Sequence, residues 1–181
     1  MGFFLETLFG GLMVGTLYSL IALGFVLIFK ASGVFNFAQG AMVLFAALAM
    51  ARLADWIPLW TGLTDKALVN MLAFVGATAI MVLVAWLIEK LVLGRLVNQD
   101  GITLLMATIG VAFILDGVGQ TIFGSDIYSI DVGLPKEPIF LFENIFQGGV
   151  LVNQEDLSAA LIAAMLVVLL ALFFQKTSTG R

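Results

Sequence analysis

Asn36-Phe37-Ala38-Gln39-Gly40 sets two amides and a glycine inside a run, residues 31–51, that carries no charge between Lys30 and Arg52. Polar amides in hydrocarbon cost free energy unless they find partners, so they face a bundle interior, a wet cavity or a ligand. Ser32 and Gly33 stand just upstream, and such residues weaken a helix or let it break. The stretch reads as a membrane segment that starts irregularly and continues as a smooth helix over Met42–Ala51. Interrupted segments are tolerated at membrane depth where they are buried in protein or line a pathway. The plainer alternative is a cytosolic loop ending in an ordinary helix start, with Asn36 as its cap.

Composition sets the class. Hydrophobic residues make up 62% of the chain, charged residues 11%, and the mean hydropathy is +1.14. Soluble domains carry roughly 25% charged residues, so this is an integral membrane protein. The net charge is -4, but in a membrane chain the placement of Lys and Arg says more than the sum. The absence of cysteine and histidine excludes disulfides, thiolate or imidazole metal sites, haem ligation and Ser-His catalysis.

Five apolar segments follow from the charges: Leu8–Phe29, Ala31–Ala51, Ala67–Ile88, residues 101–124 and Leu157–Gln175. The first is an uncharged run of 22 residues, which at about 1.5 Å per residue extends about 33 Å, enough to cross a bilayer. The fourth is weaker. Gly101–Leu115 is uncharged, but Asp116 and Gly117-Val118-Gly119-Gln120 follow, so it is either a tilted, imperfect span or a second interrupted helix. The expected fold is all-α: a polytopic membrane helix bundle with about five spans and at least one interrupted helix, forming one transmembrane domain over 1–181. No basic residue precedes the first run, which argues against a signal peptide.

Orientation follows from the basic residues. Lys90 and Arg95 flank the third span, and Lys176 and Arg181 follow the fifth. Between them, Asp126–Asp156 carries Asp126, Asp131, Glu137, Glu143, Glu155 and Asp156 against Lys136 alone. The positive-inside rule puts 89–100 and 176–181 in the cytoplasm and the acidic connection outside. Counting back, the 52–66 loop and the N-terminus are external and Lys30 is internal. Trp56 and Trp60, with Pro58 between them, fit an interfacial anchor in that loop.

Gly11, Gly15 and Ser19 recur every four residues, a small-residue stripe that lets a neighbouring helix approach closely. Gly40 is a further candidate for close approach. Thr103 and Thr108 could line a passage, although threonine often bonds to its own helix backbone. Asp116 is a functional candidate if it lies within the membrane and merely solvated if it marks the outer interface, the reading its position after a near-helix-length run favours. Tyr18 reads as a core aromatic whose hydroxyl needs a partner. No phosphate-loop motif, HExxH pair or basic aromatic-interleaved surface occurs, so direct ATP binding, a metal site and nucleic-acid binding are not expected. Ser19 and Asp116 have nothing that pairs them into a protease, and no enzymatic activity is expected.

The run from Gly11 to Gly24, GLMVGTLYSLIALG, followed by Val34-Phe35-Asn36-Phe37-Ala38-Gln39-Gly40, resembles the N-terminal half of LivH-type permeases of branched-chain amino acid ABC importers. Leu105-Met106-Ala107-Thr108-Ile109-Gly110 with Gln120 and Gly124 is similar to a second segment of that family. Lys176-Thr177 with Gly180-Arg181 looks like the entry to its cytoplasmic coupling region. Gln39 and Ala41 depart from it, standing where many relatives carry His and an acidic residue. Members run on well past Arg181, so the chain reads as the N-terminal portion of such a permease, truncated at its C-terminus. The resemblance implies a multi-pass protein of the cytoplasmic (inner) membrane that moves branched-chain amino acids by alternating access. It implies as partners a second permease subunit, two cytoplasmic ATP-binding subunits, an extracytoplasmic solute-binding protein and the membrane lipid. No cofactor is implied for this chain, since ATP is bound by the partner subunits. Asn36 and Gln39 are then the first candidates for polar groups on the substrate pathway, with Thr103 and Thr108 second; Gly11, Gly15, Ser19 and Gly40 are the candidates for helix packing. Two rival readings stand beside it: a related permease for urea or short amides, and a non-transporting membrane assembly subunit whose stripes only dock partners.

The charge pattern makes a testable statement about sidedness. In this cysteine-free chain, a cysteine placed at Ser129 is expected to react with an impermeant maleimide added outside intact cells. Reaction only after the inner face is opened would invert the topology.

Overall fold

The computed structural model describes residues 2–96, 98–124, 126, 138–141 and 150–176. Five α-helices dominate them: α1 (Gly2–Ser32), α2 (Gln39–Thr61), α3 (Lys66–Leu91), α4 (Gly101–Phe123) and α5 (Gln154–Lys176). Each is long and apolar enough to cross a membrane. The helical membrane bundle expected from composition is therefore present, with one addition. Pro138–Leu141 (β1) and Val150–Asn153 (β2) pair antiparallel, Ile139 opposite Val152. The acidic connection expected over 126–156 thus contains a hairpin; Ser129, Asp131, Lys136, Glu137 and Glu143 lie outside the described residues.

The chain divides into two compact units, one of Met1–Gly24 with Leu134–Arg181 and one of Phe25–Gly133. In the first, Met13, Val152 and Ala160 are buried together, with Leu5 and Phe9 packed on them. The Glu6 carboxylate accepts a hydrogen bond from the Leu151 backbone N–H at 3.1 Å. Glu155 and Asp156 occupy the first turn of α5, where carboxylates complement the positive end of a helix.

In the second unit α2 is central and packs on both α3 and α4. The helix–helix seam is made of residues three or four apart: Thr108, Val111, Leu115, Gly119 and Phe123 on α4, and Phe45 and Ala49 on α2. Residues at that spacing share one helix face. Phe37 meets Thr108, Phe45 meets Gly119 and Phe123, and Arg52 meets Phe123. Contacts that advance together along both helices make α2 and α4 parallel, with the antiparallel α3 joined to α2 through residues 62–65. Two glycines are tight against a neighbouring helix: Gly76, where an added Cβ would lie 2.9 Å from Leu53 Cδ1, and Gly119, where it would lie 3.3 Å from Phe45 Cδ2. Small residues let membrane helices approach, and dispersion rather than hydrophobic burial then holds them.

Several expected boundaries move. The second span, expected over Ala31–Ala51, begins instead at Gln39 and continues to Thr61, through Arg52, Asp55 and Pro58. The 52–66 loop shrinks to residues 62–65, and Trp56 and Trp60 stack on the helix with ring centroids 5.9 Å apart. A charge ends a hydropathy run without ending a helix. Arg52 Nε donates to the Phe123 carbonyl at 2.8 Å, and its guanidinium lies 5.6 Å from the Trp56 ring centroid. Cations suit the carbonyl end of a helix, so Arg52 closes the last turn of α4. The helix stops where Gly62, at φ 69°, donates to the Pro58 carbonyl, a conformation that glycine adopts without a Cβ penalty. The fourth span is one unbroken helix, and it runs on about two turns past Asp116. Asp116 is therefore within the helix and half-buried, not at its outer end. Tyr18 is two-thirds exposed rather than in a core.

The interruption between α1 and α2 covers residues 33–38. Its freed N–H groups find specific acceptors: Gly33 the Phe29 carbonyl, Val34 the Ser32 hydroxyl, Phe37 the Thr108 hydroxyl at 3.3 Å, and Ala38 the Asn36 side-chain oxygen at 3.1 Å. Thr108 is 3% exposed and donates in turn to the Leu105 carbonyl at 2.9 Å. Thr108→Val keeps the shape of the side chain but removes the acceptor. It is expected to destabilise the unit by about 1 kcal/mol, the order of one hydrogen bond, and to speed amide exchange at Phe37; Thr108→Ser should restore both. Equal exchange and stability in the Val and Thr chains would show that the turn does not depend on this tether.

Candidate functional site

The unit Phe25–Gly133 holds a cleft of about 510 Å³ beside the interruption. Ile28, Val34, Leu93, Leu96 and Leu104 supply aliphatic walls, and Ser32, Asn36, Glu89, Asn98 and Thr108 supply the polar groups. The walls come from the last turn of α1, the interruption, the end of α3, the α3–α4 connection with its 3-10 turn over Leu93–Arg95, and the start of α4. Asn98 stands in that connection at φ 71°, a left-handed conformation in which asparagine is enriched.

Of the candidate pathway residues, Asn36 and Thr108 are brought together at this cleft. The Thr108 hydroxyl is engaged both as donor and as acceptor. Asn36 uses its side-chain oxygen on the Ala38 N–H, and its backbone carbonyl accepts from Gln39 N–H. The helix N-cap is Ala38, without a side-chain cap bond; Asn36 shapes the turn before it, as asparagines do in Asx turns. Its Nδ2 meets Met42 Sδ at 3.6 Å, a weak acceptor, so the amide keeps donor capacity at the cleft. Gln39 is half-buried in the first turn of α2 but does not line the cleft. Thr103 is exposed; five residues from Thr108, it points about 140° away around the helix.

Gly11, Gly15 and Ser19 line a shallow groove of about 560 Å³ with Phe4, Thr7, Leu8, Leu12 and Thr16. Among the described residues nothing lies within 4 Å of a Cβ built on Gly11, Gly15 or Gly40. In the second unit, helices approach closely at Gly76 and Gly119. The hydroxyls along the groove are satisfied locally, Thr7 on Phe3, Thr16 on Met13 and Ser19 on Thr16.

Four phenylalanines gather around the interruption. Phe29 and Phe35 stack with centroids 4.2 Å apart, and Phe25 lies 5.7 Å from Phe35 and 6.4 Å from Phe37. Aromatic pairs at such distances are worth about 0.5–1.5 kcal/mol beyond their buried area, which fastens the turn to the end of α1. Sequence reasoning missed Glu89, Asn98 and the role of Ser32. The signal for Glu89 is its position: a carboxylate in the last turn of a helix opposes the helix dipole.

Residues 7–181 match the family model described as branched-chain amino acid transport system / permease component. Among curated proteins, the chain is 26% identical over 167 residues to the high-affinity branched-chain amino acid transport system permease protein LivH of Escherichia coli, covering 92% of this chain and 50% of that one. The LivH of Salmonella typhimurium is 25% identical with the same coverage. The permease protein BraD of Pseudomonas aeruginosa is 24% identical over 178 residues, 98% of this chain and 57% of that one. The chain thus spans about half the length of the curated relatives it matches. No solved structure matches it. With a match that takes in all five membrane helices, the chain belongs to the family of permease components of branched-chain amino acid transport systems.

Proposed function

We propose that this multi-pass protein of the cytoplasmic membrane is the translocating subunit of an ABC importer for branched-chain amino acids. It works with a second permease subunit, two cytoplasmic ATP-binding subunits and an extracytoplasmic binding protein that delivers the solute. The observation that carries the reading is the cleft beside the α1–α2 interruption, with five aliphatic side chains in its walls and a polar group at Asn36. Aliphatic walls favour a solute with a hydrocarbon side chain over urea or a short amide, which would leave them wet. The positive-inside rule puts the α3–α4 connection, and with it the mouth of the cleft, at the cytoplasmic face. In alternating access that mouth is the release side, and closure of the ATPases would move the helices around it. The Gly11/Gly15/Ser19 groove suits a helix of a partner subunit.

Asn36→Leu tests the reading. Leucine is close to asparagine in size but cannot donate or accept a hydrogen bond. In a permease carrying this sequence and assembled with its partners, uptake is expected to fall severalfold or more, since an orphaned partner costs about 1–3 kcal/mol, while insertion is retained. Binding-protein-dependent uptake and basal ATPase activity would be measured together in liposomes. Loss of uptake with ATPase activity kept supports a pathway role, and loss of both supports a role in holding the turn. Parental values for both would remove Asn36 from the mechanism.

A further inference from the structure

We propose that the cleft recognises its solute by two opposite charges, with Glu89 receiving an ammonium group and the Asn36 amide facing a carboxylate. The proposal rests on the import reading and names the group that sorts solutes at that site. Glu89 is the one ionisable residue among those lining the cleft. It lies in the last turn of α3, and the last turn of α1, through Ile28 and Ser32, reaches the same cleft. The carbonyl ends of two helices thus reach the cleft that Glu89 lines, and that end of a helix disfavours a further negative charge and favours a cation. Lys90 holds its ammonium 4.6 Å from the Trp86 ring centroid, and neither Lys30 nor Lys90 lines the cleft.

The other wall has the opposite character. Asn36 Nδ2 lies 3.6 Å from the Met42 sulfur, a weak acceptor, so its N–H groups can turn to a carboxylate. Asn36 stands just before the first turn of α2, and Leu104 and Thr108 bring the first turns of α4 to the same side. Helix N-terminal turns favour anions. A solute with adjacent ammonium and carboxylate groups and an aliphatic side chain matches acceptor wall, donor wall and apolar lining together. Glu89 is an exposed residue, so its attraction for an ammonium is moderate, and zwitterions are sorted from plain amines and acids because both charges are met together.

The test uses the absence of native cysteine. Val34, half-buried in the cleft wall, is replaced by Cys in a permease carrying this sequence and assembled with its partners, and maleimide labelling is timed in nanodiscs. Three probes are added: L-leucine, isoamylamine, which lacks the carboxylate, and 4-methylpentanoate, which lacks the ammonium. Leucine should protect best, isoamylamine less, and 4-methylpentanoate not at all. Glu89→Gln should raise the leucine concentration for half-protection about tenfold or more, as expected for loss of a charge-assisted hydrogen bond, and Glu89→Asp should restore most of it. If Glu89→Gln alters the labelling rate without solute, the Glu89→Asp chain decides: protection regained supports the proposal, and protection absent overturns it. Leucine protection independent of Glu89, or equal protection by 4-methylpentanoate, also overturns it, and leaves the import reading standing if leucine is still taken up. Absence of binding-protein-dependent uptake in the chain with Glu89 intact would instead reject the import reading.

Discussion

The constraint on which the second unit depends is that backbone N–H groups released inside a membrane protein must find acceptors there. Between Ser32 and Gln39 the helical ladder is broken, and side chains take the place of the missing carbonyl acceptors. Three side chains carry out the repair. Ser32 takes the N–H of Val34, Asn36 that of Ala38, and Thr108, from α4, that of Phe37. The first two are local and the third is not. That one long-range hydrogen bond ties the register of the interruption to α4, so the buried Ala38, 1% exposed, enters the same cluster as Val111 and Leu115. Below it, the α2–α4 seam closes in step, down to Arg52 on the Phe123 carbonyl.

How much of this was legible in the sequence depends on what each signal measures. Hydropathy registers apolar side chains, and it located five helices correctly because long uncharged runs must cross the bilayer. It misplaced the ends of α2 because a helix stops where its backbone is capped. Arg52 looked like a boundary but is a partner for the carbonyl end of another helix, and that partner is 71 residues distant in the chain. Asn36 looked like a cap or a pathway group; its oxygen shapes the turn while its nitrogen stays available at the cleft. Thr103 and Thr108 are equivalent in composition terms, and only the rotation of α4 separates the exposed one from the buried one.

Glycines show the same limit more sharply. The regular stripe at Gly11 and Gly15 drew attention because its spacing is visible, yet among the described residues nothing lies within 4 Å of a Cβ built there. Gly76 and Gly119 belong to no such stripe in the sequence, and both sit where a Cβ would crowd a neighbouring side chain. Spacing shows which residues share a face; it does not show whether that face meets a helix, lipid or another subunit. Gly119 is legible only through α2, because Phe45 is what fills the space beside it.

The late start of α2 also explains why there is a cleft at all. Had the helix begun at Ala31, as the uncharged run invites, the chain would have risen about 1.5 Å per residue straight along the bundle axis and its side chains would have filled the space against α4. An irregular chain covers more than twice that length per residue when extended. Here it is folded back by Gly33, at φ 69°, and fastened by the Phe29–Phe35 stack. The turn therefore lies along the cleft instead of across it, and exposes one amide donor to it. A glycine at the fold-back and an asparagine at the tip are the residue types that such a path requires, one for its backbone freedom and one for a side chain that bonds to the turn's own backbone. The same broken helix that costs the segment part of its hydrogen-bond ladder is thus what borders the cleft and presents a polar group to it.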